Sequence, residues 1–323
     1  MNIQQNKHIC AVLLEQLISA AQQVIIGQRG TLEHLWTALI AGGHVLLEGV
    51  PGVAKTLMAS TMARLSGLEF RRVQFTPDML PSDLTGGLVY EGPGRFSVRK
   101  GPIFTQVLLA DEINRAPAKV QSALLECMQE GQVTLGDETY PLMRPFWVLA
   151  TQNPIEQEGT YALPEAQIDR FLFRIEVEYP TAEEEEEVLR RWARRIYPEL
   201  PPPLLSAKKI LEYQEEATRI EVAPRLEQYI VRLVRATRSP ETIGLKAWKG
   251  KIAYGASPRA GLALHRAARA RAFLLGRAMV LPEDIKAIAH AVLRHRIILS
   301  YVAIAENIRT DSFITELLNT VPY

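Results

Sequence analysis

The most informative segment of the sequence is Gly49-Val50-Pro51-Gly52-Val53-Ala54-Lys55-Thr56. It follows an apolar, strand-like run that ends at Leu47, and it leads into a helical pattern. A glycine-rich turn in this position directs several backbone N–H groups at one point, the lysine adds a positive charge, and the threonine hydroxyl is a ligand for Mg²⁺. A nucleoside triphosphate requires these groups, so the segment predicts a phosphate-binding loop.

Ala54 is the one departure from the pattern G-x-x-x-x-G-K-[ST], which has glycine at that position. The residue borders the following helix, where alanine fits provided that its φ is negative. We therefore expect an intact loop. The alternative is a glycine-rich turn before a helix, without a ligand.

Two adjacent carboxylates, Asp111 and Glu112, follow the apolar run Val107–Ala110. An aspartate at the end of a buried strand can hold Mg²⁺ through water, and the next glutamate can polarise the attacking water. Alternatively, the pair caps the following helix. In combination with Lys55 and Thr56, the carboxylates favour nucleotide hydrolysis.

A third apolar run, 146–150, is followed by Thr151-Gln152-Asn153-Pro154. The amide of Asn153 is predicted to orient the water that attacks the γ-phosphate. A turn residue before proline is the alternative.

Two arginines are further candidates. Arg170 follows a short predicted helix, and its bidentate guanidinium suits the charge on a phosphoryl group, although it would equally cap that helix or pair with Asp169. Arg259 lies in the first turn after an N-cap at Ser257, where a cation opposes the helix dipole. A bound phosphate explains this position, as would an acidic neighbour, and we favour phosphate.

The first half of the chain alternates strand-like and helical segments, which predicts an α/β sheet. Most of the strand-like runs are too hydrophobic to alternate, as expected for parallel strands covered on both faces. The predicted strands are His44–Leu47, Val73–Phe75, Val107–Ala110, Phe146–Thr151 and Ile175–Val177, and the helices between them are Thr56–Ser66, Ala118–Glu130 and Ala166–Phe171.

Two inserts interrupt this alternation. Residues 76–101 are predicted to contain a hairpin around Gly92-Pro93-Gly94, and residues 131–145 a second hairpin around Gly136-Asp137. Inserts of this length in a domain are usually functional.

The pattern changes near Pro180. Thr181 and Glu184 predict a capping box, and the sequence beyond them is mainly helical. We therefore place a domain boundary there, with an α/β nucleotide-binding core at residues 1–180 and a helical domain at residues 181–323.

The composition excludes several classes of protein. The 323 residues have a net charge of +1, which argues against a chain-wide basic surface for nucleic acid or membrane. No apolar run reaches the length of a membrane span, and no signal peptide is visible, so a cytoplasmic location is expected. The two cysteines, Cys10 and Cys127, cannot form a disulfide framework or a zinc site.

Together, the motifs resemble the MoxR family of AAA+ ATPases, in the clade with an insert in helix 2. The resemblance extends over roughly Ile25 to Ser300. It rests on six ordered motifs: GVPGVAKT (Gly49–Thr56), RVQFTPDMLPSDLTG (Arg72–Gly86), DEINRAP (Asp111–Pro117), ATQNP (Ala150–Pro154), LPEAQIDRF (Leu163–Phe171) and GASPRA (Gly255–Ala260).

The resemblance implies a P-loop core with a five-stranded parallel sheet, a small all-α lid, and a ring, generally a hexamer, with ATP and Mg²⁺ at the subunit interfaces. It also implies a role for each motif residue: Lys55 and Thr56 as the Walker A pair, Asp111 and Glu112 as the Walker B pair, Asn153 as sensor 1, Arg170 as the finger that acts on a neighbouring subunit, Arg259 as sensor 2, and Ile26 and Gly27 as part of the loop around adenine. Arg115 and Arg174 are alternative fingers.

The function implied is that of a chaperone-like motor, often with a von Willebrand factor A-domain partner, in the maturation, metal or cofactor insertion, or remodelling of a client protein. The alternatives are a metal-chelatase-like motor subunit, a nucleic-acid-remodelling ATPase and a nucleotide-gated binding module with little turnover. Nucleic acid is disfavoured because the inserts lack a dense run of lysine and arginine. Their main basic residues are Arg95, Arg99 and Lys100.

Overall fold

The structure is a computed structural model that describes residues 3–93, 95–154, 160–193 and 199–323. Helices and strands alternate over the first half of the chain. The helices there are α1 (Ile3–Gln22), α2 (Arg29–Ile40), α3 (Lys55–Leu65), α4 (Pro81–Thr85), α5 (Ala118–Glu130), α6 (Glu165–Ile168) and α7 (Ala182–Trp192). The strands are β1 (Val45–Glu48), β2 (Phe70–Gln74), β3 (Gly86–Gly92), β4 (Arg95–Lys100), β5 (Val107–Asp111), β6 (Gln132–Leu135), β7 (Glu138–Pro141), β8 (Trp147–Gln152) and β9 (Phe173–Glu176).

Five of these strands form one parallel sheet in the order β2-β5-β8-β1-β9. This confirms the predicted α/β core, and each predicted strand overlaps an observed one. The central strands β1, β5 and β8 are buried on both faces, which explains their continuous apolar sequences. Because all five strands run in the same direction, their carboxyl ends lie along one edge of the sheet.

β2 differs from the prediction of strands covered on both faces. It lies at the edge of the sheet, and three of its five residues are exposed. Its exposed residues include Arg71 and Arg72, and charged side chains are common on edge strands, where they discourage pairing with another chain.

One face of the sheet packs against α5 and the inserts. Leu108 and Val148 from the strands, Leu124 from α5, and Leu84 and Val133 from the inserts belong to the same buried cluster. Both predicted hairpins are present among the described residues, as the antiparallel pairs β3–β4 and β6–β7, and Gly94 of the first predicted turn lies outside them.

α6 is shorter than the predicted helix Ala166–Phe171. It ends at Ile168, because Phe171 and Phe173 are both fully buried and the chain must turn toward β9 to place them. Arg170 therefore lies in a turn, two residues beyond the helix.

The second half of the chain is mainly helical. Its elements are α8 (Ala207–Thr218), α9 (Pro224–Ala236), β10 (Ile252–Tyr254), α10 (Pro258–Leu274), α11 (Pro282–Leu293), β11 (Ile298–Leu299), α12 (Tyr301–Ala305) and α13 (Thr310–Thr320). α10 is the central helix, with small buried side chains at Ala260, Ala263, Ala267 and Ala268. These small residues allow α9 and α11 to pack closely against it.

Contacts divide the chain into two units. One consists of Glu15–Phe171 and Ile175–Glu212, and the other of Met1–Leu14, Leu172–Arg174 and Tyr213–Tyr323. The predicted boundary near Pro180 thus falls inside the first unit. Within that unit, Arg191 of α7 donates to the carbonyls of Gln22 and Gln23, and the amides of Leu204 and Leu205 both donate to the carbonyl of Leu65. The domain assignment itself stays a prediction.

Over the described residues, none of the helices combines the length and the apolar character that a membrane span needs. Cys127 is a buried free thiol in α5, and burial raises its pKa to about 11. The side chain of Cys10 lies outside the described part of the chain.

Candidate active site

The loop between β1 and α3 contains the predicted phosphate-binding residues. Gly49 is the first residue of this loop, and there is no room for a side chain there, since a Cβ would lie 2.7 Å from the carbonyl oxygen of Val177. Gly52 has φ +90, and no atom lies within 4 Å of the place where its Cβ would be. The loop backbone is therefore open to a ligand at Gly52, and only glycine adopts that conformation without strain.

Ala54 has a left-handed backbone, with φ 61 and ψ 22, at the N-cap of α3. The expectation of a negative φ at this position is wrong. An alanine in this conformation costs about 1–2 kcal/mol relative to the right-handed region, because its Cβ approaches the following carbonyl. The loop therefore keeps a glycine-like turn at the expense of local strain.

Lys55 begins α3 and points back into the loop. Its Nζ donates hydrogen bonds to the carbonyl oxygens of Gly49 and Val50, the second at 3.1 Å. The ammonium charge is thus held beside the loop backbone, where an anion bound by the loop amides would meet it.

The loop meets the carboxylates of β5 through Thr56. Its Oγ1 lies 3.4 Å from Oδ2 of Asp111, the last residue of β5. Thr151, on the neighbouring strand β8, donates to the other carboxylate oxygen of Asp111 at 2.6 Å. A hydroxyl and a carboxylate oxygen at one point are hard ligands of the kind that Mg²⁺ prefers, so the residues present fit this ion.

Glu112 follows Asp111 with a left-handed backbone, φ 56 and ψ 53. Its amide donates to Oγ1 of Thr151 at 2.8 Å, which fixes the backbone at the end of the strand. Its Oε2 accepts hydrogen bonds from Nε2 of Gln74 at 2.6 Å and from Nη1 of Arg115 at 3.1 Å. The two adjacent carboxylates therefore have different surroundings.

Arg72 and Gln74 are site residues that were not among the predicted ones. The guanidinium of Arg72 lies 2.8 Å from Oδ2 of Asp111, and it also donates to Oε1 of Gln74 at 2.7 Å. Gln74 is directly opposite Asp111 in the β2–β5 register. Their position within the quoted motif Arg72–Gly86 was the available signal, but the pairing of β2 with β5 is what reveals their partners.

Asn153 follows β8 directly and is buried. β8 lies between β5 and β1 in the sheet, so Asn153, the phosphate-binding loop and the two carboxylates all follow the ends of three adjacent parallel strands. The structure thereby brings these predicted residues to the same edge.

The candidate arginine fingers have different surroundings. Arg170 is exposed and donates to the carbonyl oxygen of Leu125 in α5 at 2.8 Å. Arg115 contacts Glu112 of its own chain, and Arg174 is half-buried in β9. Taken as whole residues, Arg170 is exposed, whereas Arg115 and Arg174 are intermediate.

Arg259 occupies the second position of α10, after the N-cap Ser257 and Pro258 at the first position. It is exposed. Ser257 has the extended backbone of an N-cap but forms no side-chain capping hydrogen bond.

A pocket of about 520 Å³ adjoins the phosphate-binding loop. Its lining is mostly apolar and comes from three segments: the loop after α1, the phosphate-binding loop with the first turn of α3, and one side of α7 as far as its last residue, together with Tyr179 and Pro180 before it. The lining residues are Val24, Ile25, Ile26, Gln28, Pro51, Gly52, Val53, Ala54, Leu57, Tyr179, Pro180, Glu185, Val188, Leu189 and Trp192. An apolar pocket beside a phosphate-binding loop has the size and chemistry for a nucleotide base.

The sequence matches two family descriptions. Residues 44–173 match the ATPase family associated with various cellular activities (AAA), and residues 247–317 match the AAA lid domain. The first region contains the loop and both carboxylates, and the second contains Arg259.

Individual relatives are similar over nearly the whole chain. Chaperone MoxR1 of Mycobacterium tuberculosis is 49% identical over 309 residues, which are 95% of this chain and 81% of that protein. Protein MoxR of Paracoccus denitrificans is 35% identical over 299 residues, 87% of each. A crystal structure of a proposed ATPase from Cytophaga hutchinsonii superposes with a TM-score of 0.91 at 49% identity, covering 98% of this chain and 97% of that one.

Proposed function

The chain belongs to the MoxR family of AAA+ ATPases, and from this we propose that it forms a ring, generally a hexamer, that hydrolyses ATP with Mg²⁺ and uses the energy to rearrange a client protein. ATP hydrolysis and a chaperone-like role follow from family membership. The ring, the metal, the client and the role of each residue are the proposed part.

One observation supports the residue assignments most strongly. The phosphate-binding loop, the pair Asp111–Glu112 and Asn153 follow β1, β5 and β8, which are neighbours in one parallel sheet. Ligands of open parallel sheets bind beyond the carboxyl ends of the strands. Residues far apart in sequence thus meet where a triphosphate would lie against the loop.

The loop residues bind and position the phosphates. The residues of Gly49–Ala54 other than Pro51, which has no N–H, would provide backbone amides, and Lys55 would exchange its carbonyl partners for phosphate oxygens. Thr56 and Asp111 would hold Mg²⁺, which when bound neutralises charge on the phosphates.

Glu112 is the proposed general base, and its neighbours orient it. Gln74 and Arg115 both bind Oε2, which leaves Oε1 as the oxygen to accept a proton from water. Asn153 would hold that water in line with the γ-phosphate. Its burial after β8 restricts the positions that its amide can take.

The remaining two arginines would act on the nucleotide from outside this sheet edge. Arg170 is exposed in its own chain, which is what a finger acting on a neighbouring subunit requires. Arg259 would bind the γ-phosphate from the lid and couple its loss to movement of the lid.

The hairpin β3–β4 is the proposed client-contacting element. Leu88, Val89, Tyr90 and Phe96 are each between 42% and 63% exposed, and the rings of Tyr90 and Phe96 pack edge to face 5.5 Å apart. Exposed apolar groups of this density are typical of protein contact sites. The same proposal includes a von Willebrand factor A-domain protein as partner, a protein client in preference to nucleic acid, and a cytoplasmic location.

The test is the ATPase rate against protein concentration, with mass measured in parallel, for the wild type, Glu112→Gln, Arg170→Ala and an equimolar mixture of the two variants. We expect turnover only at concentrations where rings form, and we expect each variant alone to be inactive. The mixture should be partly active, because an interface between the two variants can combine the intact Glu112 of the Arg170→Ala subunit with the intact Arg170 of the Glu112→Gln subunit. Arg71→Ala is the matched control, since Arg71 is exposed and pairs with Glu69 alongside the site. Turnover that is independent of concentration, with Arg170→Ala fully active, would refute the shared site.

A further inference from the structure

The wall of the base pocket contains an unusual carboxylate. The first turn and a half of α7 contains five consecutive glutamates, Glu183–Glu187, and one of them, Glu185, lines the pocket. The other lining segments contribute mainly apolar side chains, so this carboxylate is the charged group of the pocket wall.

The other four glutamates have partners. Glu183 and Glu184 bind Thr181 at the N-cap, whereas Glu186 pairs with Arg190, and Glu187 pairs with both Arg190 and Arg191. Within the described part of the chain, the carboxylate of Glu185 forms no hydrogen bond or ion pair. It is therefore available to a ligand in the pocket.

The remaining polar side chains of the pocket do not select a base in the same way. Gln28 is already bound at both ends of its amide, donating to the carbonyl of Glu178 at 2.9 Å and accepting from Thr31 at 3.0 Å. The hydroxyl of Tyr179 both donates and accepts, so it fits either kind of group. An ionised glutamate only accepts.

We propose that Glu185 is the residue that selects adenine, by accepting a hydrogen bond from the 6-amino group of the base. This inference rests on the proposed function, because it assumes that the pocket beside the loop holds the base. A base with a carbonyl at position 6, such as guanine, would place an acceptor against the carboxylate, and a base without a 6-substituent would leave the carboxylate unpaired.

The test compares the dissociation constants of ADP and purine riboside 5′-diphosphate, which differ only in the 6-amino group. For the wild type we expect ADP to bind about five- to tenfold more tightly, the effect of one partly solvated hydrogen bond to a charged group. Glu185→Ala should bring the two constants within about twofold of each other. Glu185→Gln keeps an acceptor oxygen and should retain part of the preference.

Glu186→Ala is the matched control, because it removes a neighbouring carboxylate of the same helix that points to Arg190 and not to the pocket. It should leave the ratio of the two constants unchanged. The proposal is overturned if Glu185→Ala keeps the wild-type ratio, or if Glu186→Ala lowers it equally. Failure of the wild type to bind either diphosphate would instead contradict the nucleotide-binding function itself.

Discussion

Gly27 lies against the carboxylate of Glu184, so closely that a Cβ on Gly27 would overlap the carboxylate atoms. The same carboxylate accepts a hydrogen bond from the amide of Thr181 at 3.0 Å and thereby completes the capping box of α7. The loop after α1 and the start of α7 are therefore packed together at Gly27, where a side chain would have to displace the carboxylate of Glu184.

Substitution of Gly27 by alanine should weaken nucleotide binding. Its φ of +68 already disfavours a side chain, by about 1 kcal/mol, and displacement of Glu184 would remove the capping box at a cost of about 1 kcal/mol more. We expect a several-fold higher dissociation constant for ADP and a lower melting temperature, by calorimetry. Gly30→Ala is the control: Gly30 lies in α2 with open space around it, so alanine there should be neutral or stabilising. Equal effects of the two substitutions would contradict the close packing.

Ala54→Gly should not destabilise the protein, unlike most alanine-to-glycine changes. Glycine relieves the left-handed strain at φ 61, and that gain of about 1–2 kcal/mol offsets the roughly 1 kcal/mol of extra chain entropy that glycine loses on folding. The free energy of unfolding in urea should stay equal or rise by up to about 1 kcal/mol. Ala123→Gly, inside α5, should lower it by about 1 kcal/mol. A loss of stability in Ala54→Gly that matches the control would show that the strain is absent.

Gln74→Ala should reduce the rate of hydrolysis more than it reduces binding. It removes the 2.6 Å hydrogen bond to Glu112 and leaves the phosphate-binding loop untouched. We expect kcat to fall about tenfold with the dissociation constant of ADP changed less than twofold, because the base is misoriented and the ligand contacts remain. Arg71→Ala on the same strand should change neither quantity. If Gln74→Ala affects binding and kcat in equal proportion, Gln74 does not act through Glu112.

Asp311 should make the stability of the helical half depend on acid pH. Its partial burial alone would raise its pKa, but hydrogen bonds from His290 and Arg294, the latter at 2.7 Å, outweigh that effect and hold the pKa well below its usual range. Since the folded pKa is the lower one, the stabilisation is complete above about pH 4, the unfolded value, and is lost progressively as the pH falls towards the folded value.

The corresponding measurement is the free energy of unfolding of the wild type and Asp311→Asn between pH 6 and pH 2.5. The variant should be less stable by roughly 1–2 kcal/mol at pH 6, and the difference should shrink below about pH 4. Asp137→Asn, at the exposed turn of the second hairpin, should show no difference at any of these pH values. A constant difference across the range would exclude the ionised Asp311 as its source.

Local sequence determined the parts of the site that are continuous in the chain. The strand before Gly49, the helix after Lys55 and the run before Asp111 are each specified by residues next to one another, through apolar burial, glycine and capping. The two hairpins were predictable for the same reason, because a tight turn and its flanking strands are adjacent in sequence.

Only the tertiary structure decided which of these segments are neighbours. The order β2-β5-β8-β1-β9 depends on how the crossover connections pack, and it is this order that places Gln74 beside Glu112 and Arg72 beside Asp111. The left-handed backbone of Ala54 and the early end of α6 are likewise features that the local preferences of the residues do not predict. The sequence alone therefore specified the chemical groups of the site, whereas their partners were set by long-range contacts that no local pattern encodes.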